Sequence, residues 1–239
     1  MGIIAENVKK IYGDKCVLNG VTIDVNPAEI VGLLGPNGAG KTTMFYSILG
    51  IININSGKIY IDGKDVSKLP VHKRVKYGIG YLSQEPSVFR KLTVEENIYA
   101  ALEIHYKNKN ERKKMLEDIL NELHLSHLRK QKAYTLSGGE KRRCEIARII
   151  ALKPKYLLLD EPFVGIDPKT IEELQNLILK LKSSGIGILL TDHNVRETLQ
   201  IVDRAYIIYK GEVLIHGDAN KLINDEEARK VYLGERFRM

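Results

Sequence analysis

The chain contains little cysteine and no long apolar run. These features argue against a protein stabilised by zinc or disulfides and against a membrane-spanning protein. Cys16 and Cys144 are the only cysteines among 239 residues. They stand neither in CxxC spacing nor beside a histidine pattern, which argues against zinc or a disulfide framework. We expect both to be small packing residues. No apolar stretch approaches the roughly 18 residues that a membrane-spanning helix needs, and Met1–Lys10 carries no secretion signal. The sequence therefore predicts a soluble cytoplasmic protein.

The net charge is positive, but charge alone does not identify a binding partner. A formal net charge of +7 is compatible with nucleic acid, anionic lipid head groups or the phosphates of a nucleotide. The densest basic run, Lys107–Lys114, precedes a helix-like stretch. Runs of this kind usually form a solvated surface, and we assign this one no function from the sequence.

Strand-like and helix-like segments alternate along most of the chain, without an internal repeat or a low-complexity linker. Helical spacing dominates from Thr93 to about Leu152, where Val94–Leu102 and Met115–Leu125 are predicted helices. Short apolar strands alternate with helices on either side of this insertion. Their pattern predicts an α/β fold whose largely parallel sheet is covered on both faces. The predicted strands include Gly2–Glu6, Val21–Val25, Glu29–Leu34, Gly57–Ile61, Tyr156–Leu159, Gly187–Thr191 and Ala205–Tyr209.

A phosphate-binding pattern, GxxxxGK[ST], lies between an apolar strand and a predicted helix. Backbone N–H groups of such a loop turn inward around a β-phosphate, and the helix N-terminus adds partial positive charge. We expect Lys41 to bridge the β- and γ-phosphates of ATP, Thr42 to ligate Mg²⁺ and Thr43 to contact the α-phosphate. The alternative, a glycine-rich turn with a stray lysine, does not explain the strand-to-helix context. The pattern consists of Gly35, Pro36, Asn37, Gly38, Ala39, Gly40, Lys41 and Thr42.

Two adjacent acids follow the apolar run Tyr156–Leu159. In open parallel sheets, ligands bind at the carboxyl ends of the strands. We therefore assign Asp160 to holding Mg²⁺ and Glu161 to polarising the attacking water as a general base. Two surface acids capping a loop would not require the buried run before them.

The segment Leu136–Glu140 reads LSGGE and precedes Asp160 by 24 residues. Between these two motifs it resembles the signature of ABC-type ATPases, and the resemblance covers essentially the whole chain. It implies a P-loop NTPase core with a mostly parallel sheet, an N-terminal antiparallel β subdomain and an inserted helical subdomain. Residues 1–239 would form one ABC ATPase domain. Its core lobe would comprise approximately 1–92 and 153–239, and its helical signature subdomain approximately 93–152.

The same resemblance implies a second anion site and a homodimer. Ser137, Gly138, Gly139 and Glu140 would bind, at a helix N-terminus, the γ-phosphate of ATP held by a partner subunit. Two nucleotides would then lie between head-to-tail protomers, and neither site would be complete in a monomer.

Four further residues match motifs of the family, although each alone has an ordinary structural interpretation. Gln84 matches the loop glutamine that reaches Mg²⁺ and water, and His193 matches the switch histidine that contacts the γ-phosphate. Asp167 matches the D-loop, although Gly165–Ile166 departs from the commoner form. Tyr12 matches the aromatic residue that stacks on adenine.

Three stretches are similar to the ABC ATPases of lipopolysaccharide export: Gly80–Asn97, Asp160–Pro168 and Val231–Arg238. By this similarity, Phe89 and Arg90 would contact transmembrane permease subunits, and the C-terminal tail would brace the dimer. The chain would lie on the cytoplasmic face of the inner membrane and be attached through partners only.

Two alternatives remain at this point. ABC ATPases of branched-chain amino acid uptake share much of the sequence pattern of these stretches, although the YLGE-x-F-R ending favours export. A soluble ABC ATPase acting on ribosomes or DNA usually carries two fused cassettes or a long coiled-coil insertion. This chain has neither, and we expect no nucleic-acid partner.

Overall fold

A computed structural model describes residues 1–234 and 237. In this part of the chain the strands are β1 (Ile3–Tyr12), β2 (Lys15–Val25), β3 (Ile30–Leu34), β4 (Ser56–Ile61), β5 (Lys64–Asp65), β6 (Ile79–Leu82), β7 (Tyr156–Asp160), β8 (Gly187–Thr191), β9 (Arg204–Tyr209) and β10 (Glu212–Gly217). The helices are α1 (Lys41–Leu49), α2 (Val71–Arg74), α3 (Val94–His105), α4 (Lys109–Glu122), α5 (Gly138–Ile150), α6 (Pro168–Ser183), α7 (Val195–Leu199), α8 (Ala219–Asn224) and α9 (Glu226–Ala228). Shorter helical turns lie at Val75–Tyr77, Ser126–Leu128, Ala133–Thr135 and Arg229–Leu233.

The strands form two sheets. The first is antiparallel, in the order β2-β1-β4-β5. The second has the order β10-β9-β3-β8-β7-β6, and all its pairings are parallel except that of β10 with β9. The crossovers put helices on its faces, as the alternation of strands and helices predicts. The predicted α/β class with a mostly parallel sheet and an antiparallel β portion is confirmed.

The parallel sheet separates two hydrophobic cores. Successive residues of β7 point to opposite faces, so Leu157 and Leu159 join the core beneath α3, α5 and α6. Tyr156 and Leu158 join the core formed with α1 and the antiparallel sheet. Both faces of β7 are therefore buried, and its carboxyl end is held between the two layers.

Helices α3, α4 and α5 lie in the chain between β6 and β7, which are neighbours in the sheet. Each of α3 and α5 begins with a capping box: Thr93 with Glu96, and Ser137 with Glu140. These caps satisfy N–H groups that a helix end leaves without partners. The division of the chain into two lobes near residues 92 and 153 remains a prediction.

Two local expectations are wrong. Helix α4 begins at Lys109, ahead of the predicted start at Met115, because Asn108 caps it by accepting a hydrogen bond from the Asn110 N–H. Most of the basic run therefore lies inside the helix. Cys144 is buried, but Cys16 is exposed on β2 and is not a packing residue.

The C-terminal segment packs against the end of β3 and against α7. Leu222 and Ala228 join Leu34 and Leu199 in a third apolar cluster, with Tyr232 at its margin. The predicted bracing tail, residues 231–238, includes 235, 236 and 238, which lie outside the described residues, and its role in the dimer remains a prediction. Across 1–234 and 237, the structure contains no helix with the length and apolar character needed to span a bilayer.

Arg74 is hydrogen-bonded to the C-terminal end of α1 and is only 2% exposed. Its Nη1 donates to the carbonyls of Ser47 (2.6 Å) and Ile48 (2.8 Å), and its Nε donates to that of Leu69 (2.7 Å). Burial lowers the pKa of Arg74 to about 10, so it stays charged at neutral pH. A cation at a helix C-terminus is favourable because the last carbonyls carry partial negative charge.

We expect Arg74→Met to lower the free energy of unfolding by about 2–4 kcal/mol, because buried carbonyls lose their donors while the stem volume is kept. Urea denaturation followed by circular dichroism measures this change. Lys73→Met, at the exposed neighbouring position, is the control. Equal stability of the two variants would contradict this account of α1.

Candidate functional site

The phosphate-binding loop joins buried β3 to α1 and depends on two glycines in unusual conformations. Gly35 has φ +145°, and a Cβ there would lie 2.1 Å from the carbonyl oxygen of Ile208. Gly40 has φ +113°, and its Cβ would lie 2.9 Å from the carbonyl oxygen of Val17. Side chains at these positions would push the loop away from the sheet, so both glycines fix where α1 begins.

Lys41 is the first residue of α1 and is 7% exposed. Its Nζ donates to the carbonyls of Gly35 (2.6 Å) and Pro36 (3.0 Å). Burial lowers the pKa of Lys41, and the carboxylates of Glu161 and Asp160 oppose that shift. The sheet edge thus holds a buried ammonium group close to two carboxylates.

A cavity of about 230 Å³ opens at this loop. It brings residues of the phosphate-binding pattern together with two predicted catalytic side chains from other strands. Its lining consists of Lys15, Val17, Asn37, Gly38, Gly40, Lys41, Thr42, Thr43, Glu161 and His193. Ala39 is buried beneath the loop.

Asp160 ends β7, and Glu161 follows with φ +49°. A positive φ is uncommon for a residue with a side chain and must be held by its surroundings. The N–H of Glu161 donates to the carbonyl of Thr191 at 2.8 Å. This contact ties the turn after β7 to the end of β8.

The three predicted catalytic side chains lie in one hydrogen-bonded chain. Nε2 of Gln84 donates to Oε2 of Glu161 at 2.7 Å, and Nε2 of His193 lies 2.6 Å from Oε1 of the same carboxylate. Both oxygens of Glu161 are therefore engaged, one from the end of β6 and one from the end of β8. The fold brings together at one point residues that lie far apart in the sequence.

The predicted metal ligands all offer oxygen atoms, the donors that Mg²⁺ prefers. Thr42 lines the cavity, and the pKa of Lys41 responds to the charge of Asp160 beside it. Oδ2 of Asp160 accepts a hydrogen bond from the Tyr81 hydroxyl at 3.2 Å. Burial raises the pKa of Asp160, and the Tyr81 hydrogen bond opposes this shift. Within the described residues, no three His, Cys, Asp or Glu side chains form a metal site, so the protein's own donors are a mixed hydroxyl, carboxylate and amide set.

The signature residues lie apart from this cavity. Ser137 and Glu140 form the capping box of α5, with Oε2 of Glu140 2.7 Å from the N–H of Ser137. Gly139 packs so closely on α6 that a Cβ would lie 2.2 Å from Cγ2 of Thr170. Gly138 lines a second cavity of about 260 Å³, which Glu161 also borders. The structure thus places Gly138 of the signature on the same cavity as Glu161, and the signature lies away from the phosphate-binding loop.

Arg142 is a central residue that the sequence did not single out. Its Nη2 donates to the carbonyls of Asp160 (2.9 Å) and Glu161 (3.1 Å), and its Nη1 donates to that of Ser83 (2.6 Å). Burial lowers the pKa of Arg142, whereas buried Glu145, 3.2 Å away, raises it. Glu145 also accepts a hydrogen bond from the backbone N–H of Ser87. The Arg–Glu spacing of three residues on one helix was the only signal available in the sequence.

Two other predicted residues lie outside the cavity lining. Tyr12, at the end of β1, is 47% exposed, and Nζ of Lys10 lies 4.7 Å from its ring centroid. Asp167 caps α6, and its carboxylate accepts hydrogen bonds from the backbone N–H (3.1 Å) and hydroxyl (2.7 Å) of Thr170. The exposed ring of Tyr12 is available for stacking. Asp167 has a structural role as the N-cap of α6.

A groove of about 340 Å³ runs between α3 and α5 and is lined in part by Phe89, Ile104 and Leu152. Phe89 is 49% exposed, and the guanidinium of Arg148 lies 4.3 Å from its ring centroid. Arg90 is exposed beside it. This cation–π contact restrains the exposed Phe89 ring.

Comparisons with known proteins identify the family of this chain. A family model described as ABC transporter matches residues 18–164. The lipopolysaccharide export system ATP-binding protein LptB of Haemophilus influenzae is 48% identical over 238 residues, covering 99% of each chain. The protein of the same name from Escherichia coli K12 gives the same identity and coverage. An uncharacterised ABC transporter ATP-binding protein of Rhizobium meliloti is 52% identical over 98% of this chain and 87% of its own length.

Solved structures show the same fold. A nucleotide-free ATP-binding cassette from an ABC transporter has a TM-score of 0.87 at 29% identity and covers 98% of this chain and 100% of its own. The bacterial cassette MJ0796, solved as a dimer, has a TM-score of 0.81 at 28% identity, over 90% of this chain and 98% of its own. The chain therefore belongs to the ABC transporter family, as an ATP-binding and ATP-hydrolysing subunit.

Proposed function

We propose that this chain energises the export of lipopolysaccharide from the inner membrane through partner permeases. The observation that carries the proposal is the 48% identity, over 99% of both chains, with export proteins of two organisms. The match leaves almost no part of either chain unaligned, so it includes the partner-facing surface as well as the motifs that bind ATP. In this proposal, the chain lies on the cytoplasmic face of that membrane.

The working unit in this proposal is a head-to-tail homodimer. The signature at the start of α5 is separated from the phosphate-binding loop of its own chain, as an anion site for a partner's nucleotide would be. Ser137, Gly138, Gly139 and Glu140 would complete the site of the partner subunit. The dimeric cassette MJ0796 supports this assembly by its similarity.

Each predicted residue has a role that its position allows. The ammonium of Lys41 would exchange its two loop carbonyls for β- and γ-phosphate oxygens, which are stronger acceptors because they are charged. Pro36, Asn37, Gly38, Ala39 and Gly40 would shape the loop, Thr43 would contact the α-phosphate and Tyr12 would stack on adenine. Glu161 would orient and deprotonate the attacking water, with His193 and Gln84 setting its position.

Thr42, Asp160 and Gln84 would hold Mg²⁺. The amide nitrogen of Gln84 bonds Glu161, so its oxygen is the atom left for a cation. The ion would neutralise charge on the phosphate oxygens. Gln84 and His193 each contact one oxygen of Glu161, and because each carboxylate oxygen has a second lone pair, the attacking water can hydrogen-bond to Glu161 while both contacts remain.

ATP binding would close the two protomers, and hydrolysis would reopen them. A ligand can shift such an equilibrium only by its difference in affinity between the two states. Transport therefore requires that the closed dimer hold its membrane subunits in a different conformation from the open one. The groove around Phe89 and Arg90 would transmit that movement.

We expect Glu161→Gln to reduce kcat by about 10²- to 10⁴-fold with little change in ATP affinity, because the amide keeps the shape but cannot accept a proton. Phosphate release and nucleotide binding by fluorescence measure the two effects separately. Glu6→Gln, at an exposed site, is the control. Unchanged turnover in Glu161→Gln would exclude this carboxylate as the base.

We expect Phe89→Ala to weaken binding of the membrane partner by about 30-fold, the effect of losing a strong interface anchor. Co-purification of tagged chain with permeases from detergent-solubilised membranes measures this. Ile51→Ala is a matched control, since Ile51 is 48% exposed and Phe89 is 49% exposed. If both variants retain the permeases equally, the groove is not the docking surface.

The cargo is tested by identifying what co-purifies with Glu161→Gln in the presence of ATP, which holds the dimer closed. We expect two permeases of lipopolysaccharide export by mass spectrometry. Recovery of branched-chain amino acid permeases would overturn the cargo and leave the ATPase mechanism standing. Recovery of ribosomes or DNA without any membrane protein would overturn the assignment to a membrane transporter.

A further inference from the structure

The turn between α3 and α4 lies beside the groove proposed to receive the membrane subunits. Ile104, in the last turn of α3, lines that groove and is 73% exposed. Two residues later, the Tyr106 ring lies 4.5 Å from Nζ of Lys153. Lys153 follows Leu152, which also lines the groove. The turn and the groove therefore share one side of the helical region.

The lysines of this turn are unpaired, unlike other basic residues of the same region. We call Lys107, Lys109, Lys113 and Lys114 the basic tip. All four are exposed, and none lies in an ion pair within 1–234 and 237. Elsewhere in the region, carboxylates pair with Arg112, Arg129, Lys130 and Lys132.

The placement of the basic tip is not explained by the stability of α4. Lys109 lies in the first turn of the helix, where the free N–H groups already carry partial positive charge, and Lys113 and Lys114 follow in the second turn. Glu111 is the one acidic residue of the first turn. A cation in the first turn opposes this partial charge, so the helix dipole does not account for Lys109, and an external anion would be favourable there.

We propose that the basic tip and Ile104 contact the anionic head groups of the bilayer around the membrane subunits. This inference rests on the proposed function, because the groove faces the membrane only if it receives a membrane subunit. Lysines near an anionic leaflet each strengthen binding by about fivefold, and an exposed isoleucine beside them can enter the head-group region. The contact adds to the expected attachment through partners and replaces the expectation that partners alone provide it.

A lipid surface fits these residues better than nucleic acid does. The tip is an exposed turn beside an exposed isoleucine, and the Tyr106 ring within it is half-buried against Lys153, whereas binding of single-stranded nucleic acid relies on exposed aromatic rings for stacking. In the proposed complex, the tip is also held near one membrane leaflet, which raises its effective concentration there.

The test measures binding of the full-length chain, with ATP, to phosphatidylcholine vesicles with and without phosphatidylglycerol. The variant carries Lys107→Gln, Lys109→Gln, Lys113→Gln and Lys114→Gln. We expect its partition coefficient for the anionic vesicles to fall by several hundredfold, from about fivefold per lysine. The control carries Lys58→Gln, Lys64→Gln, Lys68→Gln and Lys73→Gln, which removes the same charge from exposed positions elsewhere. This control should bind like the unmodified chain.

Three results would overturn the proposal: no binding of the unmodified chain to anionic vesicles, equal losses in both variants, or equal binding to vesicles without phosphatidylglycerol. Loss of vesicle binding to an equal charge of competing RNA would assign the tip to nucleic acid instead. Permease co-purification and ATP turnover are measured on the same variants. Intact co-purification without lipid binding would reject the lipid contact alone, whereas absence of permeases would reject the proposed function itself.

Discussion

One buried guanidinium, that of Arg142, holds the carboxyl edge of the parallel sheet in its arrangement. It bonds the carbonyls of Asp160, Glu161 and Ser83, which belong to two neighbouring strand ends. Its charge is balanced by Glu145 within the same helix. The left-handed backbone of Glu161 is therefore stabilised by contacts from α5 and β8, and the position of its carboxylate depends on them. Removal of one partner of such a buried pair leaves an uncompensated charge.

This arrangement connects the signature helix with Glu161, the proposed catalytic carboxylate, inside one chain. Arg142 lies two residues after the signature, and Ser83 immediately precedes Gln84. A displacement of α5 is thus transmitted to Asp160, to Glu161 and to the loop that carries Gln84 through direct hydrogen bonds. The groove is connected to the same helix, because Glu145 and Arg148 of α5 line it. In the proposed transporter, docking and chemistry are linked by a single rigid element.

The sequence indicated the α/β class and most elements of the sheet, because buried parallel strands are short apolar runs and their helices have a clear period. Lys41, Asp160 and Glu161 could be singled out because each stands in a short local pattern next to a strand. Arg142 and Tyr81 could not be, since their contacts join residues 18 and 79 positions apart and exist only in the tertiary fold. The start of α4 was missed because a polar, basic first turn has no apolar period, although its Asn108 cap was visible in the sequence.

Gly139 lies so close to Thr170 that no side chain fits between the start of α5 and the start of α6. We therefore expect the signature and the Asp167 cap to move together as one rigid unit. Asp167 is the cap at which α6 begins. A side chain at position 139 would act as a wedge that tilts one helix against the other. In a head-to-tail dimer, such a wedge would misalign the faces that each subunit presents to its neighbour's nucleotide. The absence of a side chain at Gly139 thus determines how α5 and α6 are aligned at the proposed dimer interface.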